Sequence, residues 1–257
     1  MARAAVPGRL ISGPRPWLVA TIKALTDETA TARTLLLDVP GWPGHLPGQH
    51  ADVRLTAEDG YSAQRSYSIA SAPGRDRLEL TVQRLEDGEV SPYLTDVLMV
   101  GYPLELRGPI GGWFVWDPDA GRPVLLVAGG SGVVPLMSMI RARAEAGSRI
   151  PFRLVYSVRS PETVLYAAEL AERSQAGDGL EVSYVYTRSA PPGAQVRVGR
   201  LNPVVLAAPG WTREAAPAVF ICGPTGFVEA AASLLVKAGH DPGVIKTERF
   251  GPSGGQA

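Results

Sequence analysis

Near residue 117 the apolar pattern of this chain changes, and that change limits the folds open to it. Before it, apolar residues come in short β-rich runs over 17–24, 32–39, 50–55, 66–70, 77–83 and 103–107. Gly/Pro clusters such as Pro40-Gly41-Trp42-Pro43-Gly44 and Pro47-Gly48 separate the runs, the signature of a small antiparallel barrel. One helical insert is expected over 91–98. From Pro123 onward, strands at 124–128, 152–157, 180–187 and 218–222 alternate with helices at 135–146, 162–174 and 225–238. Gly147 and Gly239 stand where the first and last of those helices should stop. Strand–helix alternation predicts a doubly wound parallel sheet. The expected fold is therefore β + α/β: an antiparallel six-stranded β-barrel over 1–118, then a parallel-sheet nucleotide-binding domain over 119–257.

At 257 residues the chain has material for two domains of ordinary size. Its formal net charge of zero gives no electrostatic reason to bind nucleic acid or an anionic membrane. The one cysteine, Cys222, can build neither an internal disulfide nor a multi-cysteine zinc or iron–sulfur site. Residues 1–20 lack the continuous apolar stretch of a signal peptide. The uncharged run from Pro123 to Ile140 has the length of a membrane span. Gly129-Gly130-Ser131-Gly132 and Pro135 interrupt it, so it reads as a buried strand entering a turn. A cytoplasmic protein, with no membrane partner and no metal, is the expectation.

Four constellations carry chemistry. Arg65-Ser66-Tyr67-Ser68 sets an arginine, an aromatic ring and small hydroxyls on one strand. Tyr67 can lie against a planar ring, Arg65 can pair with a pyrophosphate, and Ser68 can reach a ring nitrogen from its edge. The loop Gly129-Gly130-Ser131-Gly132 follows a buried strand, and Pro135 opens a helix behind it. Such a turn lets backbone N–H groups approach an anion at the positive end of a helix, although it also serves as a plain tight connection. Cys222-Gly223-Pro224 repeats the strand-to-helix turn; Cys222 reads either as a small buried apolar residue or as a thiol at the mouth of the sheet. The tail holds Glu248 and Phe250 on a last strand.

Taken together, these motifs resemble the ferredoxin–NADP reductase superfamily, from about Pro16 to Gly251. Arg65-Ser66-Tyr67-Ser68 is similar to its flavin signature, and Leu80-Thr81-Val82-Gln83-Arg84 to the strand that follows. Gly88-Glu89-Val90-Ser91 resembles the turn whose amides hold the flavin pyrophosphate, and 104–111 the segment closing the barrel. The resemblance implies a flavin-binding barrel. Tyr67 would cover one flavin face, Ser68 would bond near N5, and Arg65 would bind pyrophosphate. Ser66, Val82, Arg84, Val90 and Ser91 would add contacts. Gly129, Gly130, Gly132 and Pro135 would cradle the nicotinamide nucleotide beside Gly223 and Pro224. Cys222 and Glu248 would flank the nicotinamide, and Phe250 would cover the other flavin face.

The implied chemistry is hydride transfer from NAD(P)H to the flavin, which demands ring stacking rather than a tuned base. The three histidines, His45, His50 and His240, therefore read as loop or surface residues. FAD is the expected flavin, with FMN in one branch of the family. Arg159, Thr187, Arg188 and Arg197, with no acidic residue from Thr187 to Arg200, favour NADPH over NADH. The tyrosine that would stack on its adenine is missing near Arg197. Trp113 and Trp116 are candidates for the flavin adenine, or core residues. With one cysteine the chain carries no iron–sulfur domain of its own. The expectation is a monomer that passes electrons to a separate ferredoxin-like or oxygenase partner. A diaphorase or flavin reductase using small acceptors, and a non-catalytic electron-transfer subunit, remain the alternatives.

Overall fold

In the computed structural model, residues 15–74, 77–194, 198–206 and 208–251 are described. Strands β1 (Leu18–Thr29), β2 (Ala32–Asp38), β3 (His50–Thr56), β4 (Ser62–Ser68), β5 (Leu78–Gln83) and β6 (Pro103–Ile110) form one antiparallel sheet in the order β4-β3-β6-β1-β2-β5. The bridge Ile69↔Leu80 and the bond from Ala70 N–H to the Glu79 carbonyl join its two edges. Closure removes both exposed edges, so the expected barrel forms. Its interior is filled by Ala20, Ile22, Leu35, Leu37, Val53, Ile69, Leu80 and Val82. The expected 66–70 strand starts earlier, at Ser62, because the whole of 62–68 pairs with β3. The insert expected over 91–98 forms over 91–97, widening to a single broad turn at Tyr93–Val97, whose Leu94 caps the barrel core.

The second sheet is parallel, with β7 (Val124–Gly129), β8 (Phe152–Val158), β9 (Leu180–Tyr186), β10 (Ala218–Pro224) and β11 (Ile245–Phe250) in the order β11-β10-β7-β8-β9. Its central strands are apolar on both faces because helices cover both. Leu126 and Ala128 of β7 pack towards α1 (Val133–Glu145) and α2 (Ala167–Gln175). Leu125 and Val127 pack the opposite way, against α3 (Pro203–Leu206) and α4 (Thr225–Lys237). The sheet is doubly wound, as its alternation predicts. The helix expected over 162–174 divides, with a turn at Pro161–Thr163, then Val164 extended, then α2. Tyr166 stands at the head of α2 with φ +57. Among the described residues, no helix is long and apolar enough to cross a membrane.

The two sheets meet across a polar and apolar seam. Phe114 and Trp116, after β6, pack edge-on against Phe220 and Phe152 of the parallel sheet, at 5.5 and 5.0 Å. Arg141 of α1 reaches the Ala70 carbonyl and Glu79 of the barrel at 3.0 and 2.7 Å, and pairs with Glu169 of α2. Ser138 donates to the Ser71 carbonyl at 2.6 Å, and Lys246 to that of Val115 at 2.9 Å. One arginine thus ties α1, α2 and the barrel together. Charge-assisted bonds at this depth are the strong kind.

Candidate functional site

The C-terminal ends of β7, β8, β9 and β10 share one rim, because parallel strands all deliver their loops to the same end of a sheet. A cleft of about 390 Å³ opens there. Its walls carry Gly130 and Ser131 from the first loop, Arg159 and Thr187 from the next two strands, and Pro224 and Phe250 from the last pair. The barrel contributes Thr31 and Gln83 to the same cleft, so both domains enclose it.

Glycine is required here by close approach. A Cβ at Gly132 would stand 2.1 Å from the Cys222 carbonyl oxygen, and one at Gly129 would stand 2.6 Å from the Phe227 ring. Gly130 takes φ +55 with nothing within 4 Å of its Cβ position, so its face is open to the cleft. Two Gly turns are pressed together, with the N-terminus of α1 directly behind. Backbone N–H groups at such a helix N-terminus can hold an anion.

On the barrel side, Arg65 and Tyr67 share one face of β4, and Ser66 and Ser68 the other. Arg65 pairs with Glu89 at 2.5 Å, and Glu89 also accepts from Tyr61 at 2.7 Å. Those bonds hold the Glu89 carboxyl below its usual range. Tyr67 packs on the barrel core. Burial pushes its phenol up to about 12, with the Arg65 charge opposing. Ser66 donates to Asp52 at 2.7 Å. Val82 and Val90 are fully buried in the barrel, which leaves their backbones as their means of contact. Arg84 pairs with Asp96 at 3.0 Å, and the Ser91 hydroxyl accepts the Leu85 amide at 3.0 Å.

At the junction, Cys222 and Glu248 are direct neighbours on β10 and β11. Cys222 is buried, and that burial, aided by the Glu248 charge, pushes its thiol well up. Glu248 Oε1 lies 3.6 Å from His50 Nδ1, and Oε2 is buried with no hydrogen-bond partner among the described residues. His50 opens β3 directly opposite Ser68. Side chains at directly opposed positions project from the same face of a sheet. Ser68, His50, Glu248 and Cys222 therefore converge from two domains.

His45 and His240 lie in loops, as the sequence reading allowed, but neither is a surface residue. His45 is buried, bonded through Nε2 to the Ser71 carbonyl at 3.2 Å and facing the Trp42 indole. Its pKa is lowered by burial. His240 is buried as well. His50 sits in the seam, and the residue-by-residue reading missed it. Its signal was its place: it is the first residue of a strand after Pro47-Gly48, and it lies opposite the Arg-x-Tyr-Ser motif. Trp116 is core, packed on Phe152, whereas Trp113 is exposed. Arg188 is exposed at the end of β9, its amide bonded to the Arg159 carbonyl at 2.9 Å, so these two arginines border one stretch of the rim. Arg197 lies outside the described residues.

A closed antiparallel barrel seamed to a doubly wound sheet, with a glycine rim in a cleft that both line, defines a two-nucleotide redox protein. Residues 19–115 match the oxidoreductase FAD-binding domain, and 126–233 the oxidoreductase NAD-binding domain. The chain is 34% identical over 209 residues to ferredoxin–NADP reductase B of Sorangium cellulosum, covering 79% of this chain and 80% of that one. It is 29% identical over 254 residues to the ferredoxin–NAD(P)+ reductase component of the naphthalene 1,2-dioxygenase/salicylate 5-hydroxylase systems of a Ralstonia species, covering 96% of this chain and 71% of that one. A solved cytochrome P450 reductase from Amycolatopsis superposes with a TM-score of 0.80 at 25% identity, over 97% of this chain and 74% of that one. The chain belongs to the ferredoxin–NADP reductase superfamily, flavin-dependent oxidoreductases that use FAD and a nicotinamide nucleotide. Several relatives are longer, and the chain spans 61–64% of the reductase subunits of glycine betaine monooxygenases.

Proposed function

We propose that this chain oxidises NADPH through bound FAD and delivers the electrons singly to a separate iron–sulfur protein or oxygenase component. One observation carries the reading: the glycine turn at Gly129, Gly130 and Ser131 opens into a cleft that the barrel also lines. Two nucleotides, one on each domain, would bring their rings together there. The residues fit these groups, because Gly130 faces open space at the cleft and the seam holds a carboxylate oxygen without a partner among the described residues. When bound, a flavin accepts two electrons from a nicotinamide and releases them one at a time.

In this reading the flavin-binding barrel domain spans 1–118 and the nucleotide-binding domain 119–257. Tyr67 would support one flavin face and Phe250 the other. Arg65 would exchange Glu89 for a pyrophosphate, the stronger bidentate partner. Ser66, Ser68, Val82, Arg84, Val90 and Ser91 would line the flavin side. Gly129, Gly130, Gly132, Pro135, Gly223 and Pro224 would hold the nicotinamide nucleotide, with Cys222 and Glu248 beside its reactive ring. The adjacency of Arg159 and Arg188 at the strand ends favours a ribose phosphate, hence NADPH, and Thr187 lines the cleft beside them. The Ralstonia relative is named as a component of dioxygenase systems, which supports a protein acceptor over a free small one.

The test is anaerobic titration of the purified, FAD-reconstituted protein with NADPH and with NADH, followed by addition of a ferredoxin-type iron–sulfur protein. Bleaching of the flavin and rapid reduction of the partner are expected. A protein that takes up no flavin would end the proposal, and preferential reduction of free flavin would assign it to small acceptors.

A further inference from the structure

We infer that Tyr61 and Glu89 form a subsite for the adenosine half of FAD, and that this pair selects FAD over FMN. The inference rests on the flavin reading above and adds two side chains which that reading leaves without a role. FAD presents its parts in a fixed order: flavin ring, ribityl chain, pyrophosphate, ribose and adenine. With Tyr67 on the ring and Arg65 on the pyrophosphate, the adenosine lies beyond Arg65, towards the start of β4.

That end of the strand carries the matching groups. Tyr61 immediately precedes β4 and is 58% exposed. Its backbone is fixed in the turn, the amide donating to Asp59 at 2.9 Å and the carbonyl accepting from the Ala57 amide at 2.8 Å. Its hydroxyl donates to Glu89 Oε1 at 2.7 Å, while Oε2 of the same carboxylate accepts from Arg65 at 2.5 Å. Phenol and guanidinium are thus one carboxylate apart, so an adenosine leaving Arg65 meets the Tyr61 ring next. Leu85, also exposed, starts the turn that carries Glu89 and accepts the Gly88 amide at 3.0 Å. An aromatic face in water is a stacking platform for a base. The other exposed candidate stands at the wrong end. Trp113 follows Ile110, which pairs with His50, and His50 pairs with Ser68. That is the flavin-ring end of β4, where Lys246 of β11 lies 5.8 Å from the Trp113 ring.

Glu89 supplies the selection. Hydrogen bonds from Tyr61 and Arg65 hold its carboxyl below its ordinary value, so it meets a ligand as an anion. With FAD, the pyrophosphate takes Arg65, and the released carboxylate accepts from the ribose hydroxyls, as acidic residues do at other nucleotide sites. FMN ends in a phosphate monoester carrying about −1.5 to −2 charges at neutral pH, with no ribose behind it. That phosphate is repelled by Glu89, and Tyr61 gains no base. The same carboxylate favours the long ligand and penalises the short one.

The experiment is calorimetric titration of the flavin-free full chain with FAD and with FMN, so that binding alone is read. The wild type should prefer FAD. Tyr61→Ala should weaken FAD binding by about tenfold, the scale of one lost base stack, and leave FMN binding unchanged, which also shows that the variant is folded. Tyr61→Phe should keep most of the FAD affinity. Glu89→Gln frees Arg65 for either flavin and should help FMN more, narrowing the preference. Equal losses of FAD and FMN in Tyr61→Ala, no loss of either, or an unchanged preference in Glu89→Gln would overturn the subsite. So would a wild type that binds both flavins alike, with the flavin reading left standing in each case. A wild type that takes up neither flavin would end that reading, and the subsite with it.

Discussion

Glu28 of the barrel accepts the backbone amide of Tyr166, at the head of α2, at 3.0 Å across the domain seam. The same carboxylate accepts from Thr34 at 2.7 Å, Thr34 meets Thr81 at 2.7 Å, and Thr81 accepts from the Tyr166 hydroxyl. The bonds form a closed ring of three barrel residues and one tyrosine. Tyr166 is held at φ +57, a region that costs a bulky residue about 1–3 kcal/mol unless its surroundings fix it. The ring supplies that fixing. It also sets how the barrel faces the cleft, because Leu165 and Thr163 line the cleft just before Tyr166.

Glu28→Ala would leave the Tyr166 amide and the Thr34 hydroxyl without their acceptor. We expect a loss of about 1–3 kcal/mol, read as a drop of several degrees in Tm. Nicotinamide nucleotide binding should weaken as well, since the wall at 163–165 loses its anchor. An unchanged melting curve would show that the ring contributes nothing.

Gly132→Ala and Gly226→Ala should act in opposite directions. At Gly132 the new methyl meets the Cys222 carbonyl at 2.1 Å, and backbone there cannot give way cheaply. The variant should lose several kcal/mol of stability or fail to bind nucleotide. At Gly226, inside α4, the added Cβ meets nothing within 4 Å, and the loss of unfolded-state freedom should stabilise by about 0.4–1 kcal/mol. Chemical denaturation of both variants checks the pair.

Tyr67→Ala should reduce flavin retention about tenfold through lost ring contact, while Tyr67→Phe keeps it. Flavin content after gel filtration is the readout. Alanine-variant protein that stays fully loaded would remove Tyr67 from the site.

Arg188→Ala should raise the KM for NADPH by about tenfold or more, the scale of one charge-assisted bond to a phosphate, and leave that for NADH nearly unchanged. Equal effects on both nucleotides would remove the ribose phosphate from this part of the rim.

Most of the architecture was legible because its causes are local. Short β-rich runs punctuated by glycine and proline marked the barrel strands, and apolar runs ending in Gly turns marked the parallel ones. What escaped depended on contacts between distant residues. The 162–174 segment has helical composition throughout, yet Val164 and Leu165 leave the helix to be buried at the seam, and Tyr166 is taken by Glu28. Nothing around Glu28 announces that partner, 138 residues away. Likewise His50 and Glu248 have no sequence relation, and only the meeting of β3 with β11 makes them neighbours. The motif residues were visible one by one, but that Arg65 is engaged by Glu89 was not.

The Arg141 cluster predicts how the seam responds to acid. Burial alone would raise the Glu169 carboxyl, but hydrogen bonds and charge from Arg141, joined by Arg173, outweigh it and hold the group below its ordinary value. A carboxyl lowered on folding adds stability at pH values above its unfolded pKa, and loses that contribution as pH falls through the folded one. The wild type should therefore destabilise on acidification below about pH 4.5, the ordinary glutamate region. Glu169→Gln should be less stable at neutral pH, where it lacks the ion pair, and should show a shallower acid limb. Arg141 would remain bound to Glu79 and the Ala70 carbonyl, so the domains should stay joined and the change should appear in the slope rather than as unfolding. Denaturant midpoints measured from pH 7 down to pH 3 would decide it: parallel curves for the two proteins would mean that Glu169 titrates alike in the folded and unfolded chains.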